Sequence, residues 1–229
     1  EVGLPFDIDD TYVGIGIGGQ TGGGLRYTTD LLYDRTEFGP ITDDGLGFDV
    51  SVTQDRPSGN IGVAVRSRLD NSGRRSEAVV NRSMPLPTGS LAFSIGVVDQ
   101  EGDTSLRPKG SLTFQRDTPG GSLTASITQD PSVDTGVFYG NTSLAVGYTQ
   151  SIDATSGWAA DFDFTAVNNL NSPLDDERAT ARFTYTRALT PEWQMNTGLE
   201  HRRESINNGA TESSNTLFIN VRRDISFGF

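Results

Sequence analysis

The end of the chain alternates between apolar and mostly polar side chains. The apolar positions are Leu217, Ile219, Val221, Ile225, Phe227 and Phe229. Successive side chains of a β-strand point to opposite faces of a sheet, so this stretch predicts a strand with one apolar and one polar face. The fold must therefore contain a sheet whose two faces differ in chemistry.

The same alternation recurs along most of the chain. In one example, Leu46, Phe48 and Val50 alternate with glycine, Asp49 and Ser51. We predict twelve strands, at about 23–33, 45–54, 60–69, 75–83, 89–98, 109–116, 121–129, 138–151, 157–168, 178–189, 193–206 and 215–228. Most are longer than the usual globular strand of about five or six residues. A tilted strand of about nine to eleven residues crosses a bilayer, so these lengths favour a membrane protein.

The predicted connections fall into two alternating classes. Short turns are expected near 55–59, 85–88, 117–120, 152–157 and 190–192. Longer loops are expected near 34–44, 99–108, 130–137, 168–177 and 206–215, with 70–74 as a short exception. Membrane barrels have short turns at one end and longer loops at the other, with an even strand count that leaves both chain ends on one side. A soluble β-sandwich has no reason to sort its loops in this way.

Two features resemble bacterial outer-membrane β-barrels. A terminal strand that stops on Phe229 is similar to the last strand of that family, whose end is read by the barrel-assembly machinery. A tyrosine-containing strand, the turn at 190–192 and a return led by Trp193 resemble the periplasmic hairpins of such barrels. The resemblance implies an all-β, transmembrane, antiparallel up-and-down barrel in a Gram-negative outer membrane. It also implies an assembly signal at Ile225, Phe227 and Phe229, in a last strand that pairs with the first predicted strand, residues 25–33.

Composition excludes several other classes of protein. The chain has no cysteine, so neither a disulfide framework nor a thiolate metal site is possible. Its net charge of −12 argues against a nucleic-acid partner, because phosphate attraction requires a basic surface. We predict no cofactor. Since the chain begins at Glu1 without a charged and apolar leader, we expect a mature or trimmed form whose export signal is gone.

Residues 1–22 differ from the barrel domain predicted for residues 23–229. They contain three aspartates and then an alternation of apolar residues with Gly14, Gly16 and Gly18. No Gly-Lys-Ser/Thr motif follows, so a phosphate-binding loop is not supported. We expect a small periplasmic β segment or a piece that plugs the barrel mouth.

The polar face of the predicted strands carries the candidate lumen residues. They are Arg26, Asp30, Asp49, Arg66, Arg68, Asp161, Asp163, Arg182, Glu200, Arg202, Glu204, Arg222 and Asp224. Six are basic and seven are acidic, so the lumen is nearly neutral. Two hypotheses follow: charged rings that select small solutes in an open channel, or ion pairs across strands that fill a narrow barrel.

The apolar face carries aromatic residues suited to a membrane interface, where a ring can lie in an apolar layer with its polar edge in water. They are Tyr27, Tyr33, Tyr148, Trp158, Tyr185 and Trp193. Arg223 falls on the same face, where a charge near the bilayer centre costs about 2–4 kcal/mol. A position near a headgroup or a bulge in the strand would resolve this conflict, and Arg187 poses it less acutely because it is near a turn.

His201 is the single histidine and the basis of an enzymatic alternative. Some twelve-stranded barrels, the outer-membrane phospholipase and lipid A deacylase families, are hydrolases that need a histidine with a serine or carboxylate nearby. Ser205 lies about 13 Å from His201 along an extended strand, at roughly 3.3 Å per residue, too far for a hydrogen bond. We expect His201, Arg202 and Arg203 to form a basic interfacial cluster near lipopolysaccharide phosphates.

Acidic residues at 43–44 and 175–177 lack the spacing of a calcium-binding loop, so we predict solvated loops without a metal. The sequence thus predicts a passive, porin-like channel for small polar solutes, surrounded by outer-membrane lipid and lipopolysaccharide. The alternatives are a narrow structural, adhesive or lipid-modifying barrel and a soluble all-β binding domain.

Overall fold

The computed structural model describes residues 8–38, 41–71, 73–103, 105–134, 137–169, 175–207 and 209–223. These residues form an antiparallel up-and-down sheet of thirteen strands, hydrogen-bonded in chain order. The strands are β1 (Ile8–Gln20), β2 (Leu25–Phe38), β3 (Ile41–Arg56), β4 (Gly59–Asp70), β5 (Gly73–Leu86), β6 (Gly89–Gln100), β7 (Arg107–Thr118), β8 (Gly121–Asp134), β9 (Val137–Ser151), β10 (Ser156–Asn169), β11 (Asp175–Ala188), β12 (Trp193–Ser205) and β13 (Glu212–Arg223). The described residues include no helix long and apolar enough to cross a membrane.

The chain divides into two compact units. The first comprises Glu1–Met84, Phe93–Gly110 and Pro131–Phe138, and the second comprises Pro85–Ala92, Ser111–Asp130 and Tyr139–Phe229. Both units show the predicted alternation. In the first, Leu31, Phe48 and Val65 are on the apolar face of successive strands. In the second, Phe183, Leu199 and Leu217 occupy the equivalent face.

The prediction of twelve strands is wrong by one. Residues 8–20, part of the predicted N-terminal segment, form β1 and pair with β2 from Ile8 to Gln20. The predicted pairing of the last strand with residues 25–33 is also wrong, because β2 is bonded on one side to β1 and on the other to β3. Since thirteen is odd, β1 begins at the end of the sheet opposite to the one where β13 stops.

Connections at one end of the sheet, here called the turn end, contain two to four residues: 21–24, 57–58, 87–88, 119–120, 152–155 and 189–192. The strand pairs that meet at the other end, the loop end, are β2 and β3, β4 and β5, β6 and β7, β8 and β9, β10 and β11, and β12 and β13. The predicted loops at 34–44 and 130–137 are wrong, since β2 continues to Phe38, β3 begins at Ile41, β8 ends at Asp134 and β9 begins at Val137. The strands are thus longer than the apolar pattern alone indicates.

Glycines with positive φ form several of these connections. Gly120 has φ 77°, a left-handed conformation that residues with a Cβ rarely adopt. It follows Pro119, so the two-residue connection reverses the chain between β7 and β8 within the shortest possible span.

The sheet has almost no buried apolar core. Among the described residues the buried hydrophobic side chains are Val98, which is 1% exposed, and Ala166. Large apolar residues on the apolar face are instead open to the surroundings: Ile95 is 67% exposed and Leu217 is 70% exposed. Soluble monomers rarely expose apolar patches of more than a few hundred square ångströms. The apolar faces of the two units are therefore unsuited to water.

Candidate functional site

Alternation places the candidate lumen residues on the polar face of the sheet. Twelve of the thirteen predicted residues share this face with their cross-strand partners, and Asp224 lies outside the described residues. The predicted assembly residues Ile225, Phe227 and Phe229 also lie outside them. That the polar face lines a lumen remains a prediction.

In the first unit a row of charges crosses four adjacent strands. Asp30, Asp49, Arg66 and Glu77 are opposite one another on β2 to β5. Arg66 donates from Nε to Asp49 and from Nη1 to Glu77 Oε1 at 3.3 Å. Direct register between neighbours thus links Asp49, Arg66 and Glu77 through ion pairs, whereas Asp30 is in register without joining them.

This row continues beyond β5 through Lys109. Its Nζ donates to Glu77 Oε2 at 2.9 Å, although Lys109 belongs to β7 and β6 runs between the two strands. The Glu77 side chain is only 10% exposed and binds two cations. Glu77 and Lys109 are not among the lumen residues predicted from the sequence. The apolar run at 78–80 hides the alternation of the predicted strand 75–83, and residue 109 is the first of the short predicted strand 109–116.

A second connection in this unit also skips a strand. Arg68 of β4 donates from Nη2 to Asp34 Oδ2 of β2 at 2.7 Å, and from Nε to Asp70 at 3.2 Å. The guanidinium crosses β3, where the polar-face positions opposite Asp34 and Arg68 are Gly45 and Gly47. Since glycine has no side chain, β3 leaves the space that this ion pair occupies.

Together these side chains line a recess of about 260 Å³. Its charged residues are Asp34, Asp49, Arg66, Arg68, Arg75 and Glu77. Three arginines and three carboxylates meet there, and the arginines are at least partly exposed. The recess could therefore contact both cationic and anionic solutes.

We expect Gly45→Ala to displace the Arg68–Asp34 ion pair. A Cβ at residue 45 would lie 2.6 Å from Asp34 Oδ1 and 2.9 Å from Arg68 Nη2. The free energy of unfolding should fall by about 1 kcal/mol, the typical value of one hydrogen bond. Gly47→Ala is the matched control, because its Cβ would have no heavy atom closer than 3.7 Å. Urea unfolding of both variants measures the difference; equal midpoints would contradict the role given to Gly45.

The second unit repeats the arrangement with different residues. Asp161, Arg182 and Glu200 are opposite one another on β10 to β12. Arg182 donates from Nε to Glu200 at 2.8 Å and also from Nη2 to the same oxygen. Four residues further along β12, on the same face as Glu200, Glu204 accepts hydrogen bonds from Arg178 and from Arg202, each at 2.5 Å.

Three of the predicted polar-face carboxylates bind no cation among the described residues. Within the described part of the chain, Asp30, Asp161 and Asp163 form no ion pair. Asp161 and Asp163 line a recess of about 340 Å³ together with Thr124, Thr180 and Arg182. The polar face of the second unit therefore presents unpaired negative charge beside paired charge.

The aromatic residues predicted for the membrane interface are all on the apolar face. Tyr148 and Trp158 have ring centroids 5.2 Å apart, and Trp158 lies 5.7 Å from Phe183. Tyr185 is opposite Trp158. These rings and Trp193 are near the turn end of β9 to β12, whereas Tyr33, whose hydroxyl donates to Asp44 at 2.9 Å, is nearer the loop end. They form an aromatic border at the turn end of the second unit.

Arg223 lies at the end of β13, away from its centre. It is opposite Trp193, its guanidinium carbon is 5.6 Å from the Trp193 ring centroid, and Nη2 donates to Glu192 at 2.8 Å. The structure thus places Arg223 at the turn end, in register with Trp193.

The groups of the enzymatic alternative are not assembled around His201. Its Nδ1 lies 2.8 Å from Asn215 Oδ1, on the apolar face. Glu200 and Glu204 are on the polar face with arginine partners, and Ser205 donates to the carbonyl of Gly209 at 3.4 Å. The expected basic cluster is also divided, because Arg202 is on the polar face with Glu204.

The acidic sequences at 43–44 and 175–177 are partly engaged in hydrogen bonds. Asp44 accepts from Tyr33, and Asp176 accepts from the backbone of Asn207 at 2.8 Å. Among the residues that the structure describes, no group of three metal-ligating side chains is suitably placed for a metal ion.

No family model matches the chain, and no curated protein matches it in sequence. Among solved structures it is similar to an anion-selective porin from Comamonas acidovorans, with 10% sequence identity and a TM-score of 0.41, over 93% of this chain and 88% of that one.

Proposed function

We propose that this chain is an outer-membrane β-barrel of a Gram-negative bacterium that acts as a passive, porin-like channel for small polar solutes. The observation that carries the proposal is the exposed apolar face. A sheet with an uncovered apolar face and an opposite face rich in charge needs an apolar solvent on one side and water on the other. A lipid-embedded barrel supplies both, and closure leaves no free sheet edge, with β1 and β13 parallel at the seam because thirteen is odd.

The length of the apolar face supports this proposal. On β4 its apolar side chains extend from Ile61 to Leu69, with Ser67 as the polar exception. These nine residues match the roughly nine to eleven residues with which a tilted strand crosses a bilayer. The aromatic border at one end agrees with the preference of tryptophan and tyrosine for the membrane interface.

A narrow structural barrel is the second candidate. It is favoured by the ion pairs that cross the polar face, since Arg66, Arg182 and Glu204 each bind partners on neighbouring strands. Charges that pair completely could hold a narrow barrel together with no passage for solutes.

Planar-bilayer recording distinguishes the two candidates. For the channel we expect reproducible single-channel steps after insertion of the folded protein, with ion selectivity that falls as salt screens the charged polar face. Folded protein that inserts and gives no steps would favour the structural barrel. Protein that stays in solution without detergent and shows no heat-dependent gel mobility would contradict the membrane location itself.

A further inference from the structure

Arginines occupy the apolar face at the turn end of both units. In the first unit they are Arg56, at the end of β3, and Arg82 of β5. In the second they are Arg116 of β7, Arg187 of β11 and Arg223 of β13. Alternation places Arg187 on the same face as Tyr185 and Phe183. In the second unit, Arg187 and Arg223 therefore adjoin the aromatic border.

Four of these arginines have no carboxylate partner in the part of the chain that the structure describes. Within the described ranges, Arg56, Arg82, Arg116 and Arg187 form no ion pair, and all except the half-buried Arg82 are exposed. Polar-face arginines differ: Arg26, Arg66 and Arg182, for example, are each paired. The apolar-face group is available to an external anion.

Carboxylates near the turn end are already engaged or face the other way. Asp55 binds Arg26 on the polar face at 2.7 Å. Asp153 accepts hydrogen bonds from the backbone of Thr155, the Ser156 side chain and the Thr155 hydroxyl, and these lower its pKa to about 2. Glu192 binds Arg223 at 2.8 Å. Of these acids, Glu192 alone reduces the positive charge on the apolar side.

The loop end of the apolar face has a different charge pattern. There Arg35 binds Glu37 at 2.6 Å, Arg74 is 4.0 Å from Asp99, and Glu177 adds another carboxylate. Arg203 is the exception, an exposed arginine without an ion pair among the described residues. The two borders of the apolar face therefore differ: one is basic and the other is mixed.

We propose that the arginines at the turn end bind the phosphate groups of anionic phospholipids in the adjoining leaflet. The proposal rests on the membrane location proposed above. A guanidinium forms paired hydrogen bonds with phosphate oxygens. Its aliphatic stem can lie along the apolar layer while the charge reaches the headgroups. Since aromatic borders occupy the same depth, Arg187 and Arg223 lie where headgroup phosphates are expected.

The two tryptophans make this binding measurable. Trp158 and Trp193 are the two tryptophans of the sequence, and both are on the apolar face at the turn end. Folded protein is placed in phosphatidylcholine vesicles that contain increasing phosphatidylglycerol, with one lipid brominated on its acyl chains. Tryptophan quenching then gives the binding constant of phosphatidylglycerol relative to phosphatidylcholine beside these residues.

We expect a preference for phosphatidylglycerol of roughly two- to fivefold at low salt. It should fall to near one in Arg187→Gln/Arg223→Gln and rise in Glu192→Gln, which releases Arg223 from its carboxylate. Arg203→Gln is the matched control: it removes an unpaired apolar-face arginine at the loop end and should leave the preference unchanged.

The possible results distinguish a failure of the lipid-binding proposal from a failure of the proposed membrane barrel. Quenching by brominated phosphatidylcholine without any preference for phosphatidylglycerol would overturn the proposed binding of anionic phospholipids but retain the membrane location. An equal loss in Arg203→Gln would also overturn them, because it would indicate a general charge effect. Absence of quenching by either lipid would show that the tryptophans do not face acyl chains, and would contradict the proposed membrane barrel itself.

Discussion

Lipid vesicles are expected to hold much less folded protein when Leu199 is replaced by arginine. Leu199 is six residues from each end of β12, and its cross-strand neighbours are Phe183 and Leu217. A charged side chain at the bilayer centre of a barrel costs about 2–4 kcal/mol. Because Leu199 is already 59% exposed, the same substitution in a water-soluble sheet should change stability by only about 0.5 kcal/mol.

The measurement is urea unfolding of vesicle-inserted protein, with heat-dependent gel mobility as the assay of folding. Asn196→Arg is the matched control on the same strand, because Asn196 is on the polar face between Thr186 and Asn220. This control should insert and unfold much as the unsubstituted protein does. If Leu199→Arg has an unchanged midpoint, its side chain does not face lipid and the apolar face needs another explanation.

The two faces of the sheet could be predicted from the sequence because they depend on a local period of two. Arg182 and Phe183, for example, must be on opposite faces of any strand that contains both. No knowledge of neighbouring strands is required. This is why the predicted polar-face and aromatic residues fall on the expected faces even where strand ends were misplaced.

The first strand could not be recognised in this way. Its polar-face positions include Gly14, Gly16 and Gly18, which supply neither polarity nor strand propensity. The strand is explained by its neighbour: the edge of β2 offers backbone partners, and Val13, Ile15 and Ile17 extend the apolar face beside Tyr33, Leu31 and Thr29. The backbone pairing of β1 with the edge of β2 therefore outweighs the weak strand propensity of the glycines in β1.

The loop predicted at 34–44 is wrong for a related reason. The loop predicted near 34–44 includes Asp34, Arg35 and Glu37, yet these charged residues belong to β2. Their charges are satisfied within the sheet, since Arg68 binds Asp34 and Arg35 binds Glu37. Which charges meet depends on strand register, which the turns set and the alternation does not. The ion pairs of the candidate site were therefore not predictable from sequence.

Glu77→Gln is expected to destabilise the protein and to make the proposed channel more permeable to anions. The Glu77 carboxylate accepts from Arg66 and Lys109 and is largely buried between them. A hydrogen bond to a charged group contributes about 1.5–3 kcal/mol, and two are weakened here. Removing the negative charge leaves the two cations facing the proposed lumen, which should shift the reversal potential in a salt gradient toward anion selectivity.

Asp161→Asn separates these two effects. It removes the same charge from the polar face, but Asp161 forms no ion pair within the described residues. We therefore expect a similar shift in reversal potential with a change in unfolding free energy of only about 0.5 kcal/mol.

A double-mutant cycle of Glu77→Gln with Lys109→Gln should give a coupling energy of roughly 0.5–3 kcal/mol, as for other contacting residues. Negligible coupling would mean that Glu77 and Lys109 do not stabilise one another across β6. If Glu77→Gln instead reduced stability and left selectivity unchanged, its row of charges would support the sheet without lining the path of the ions.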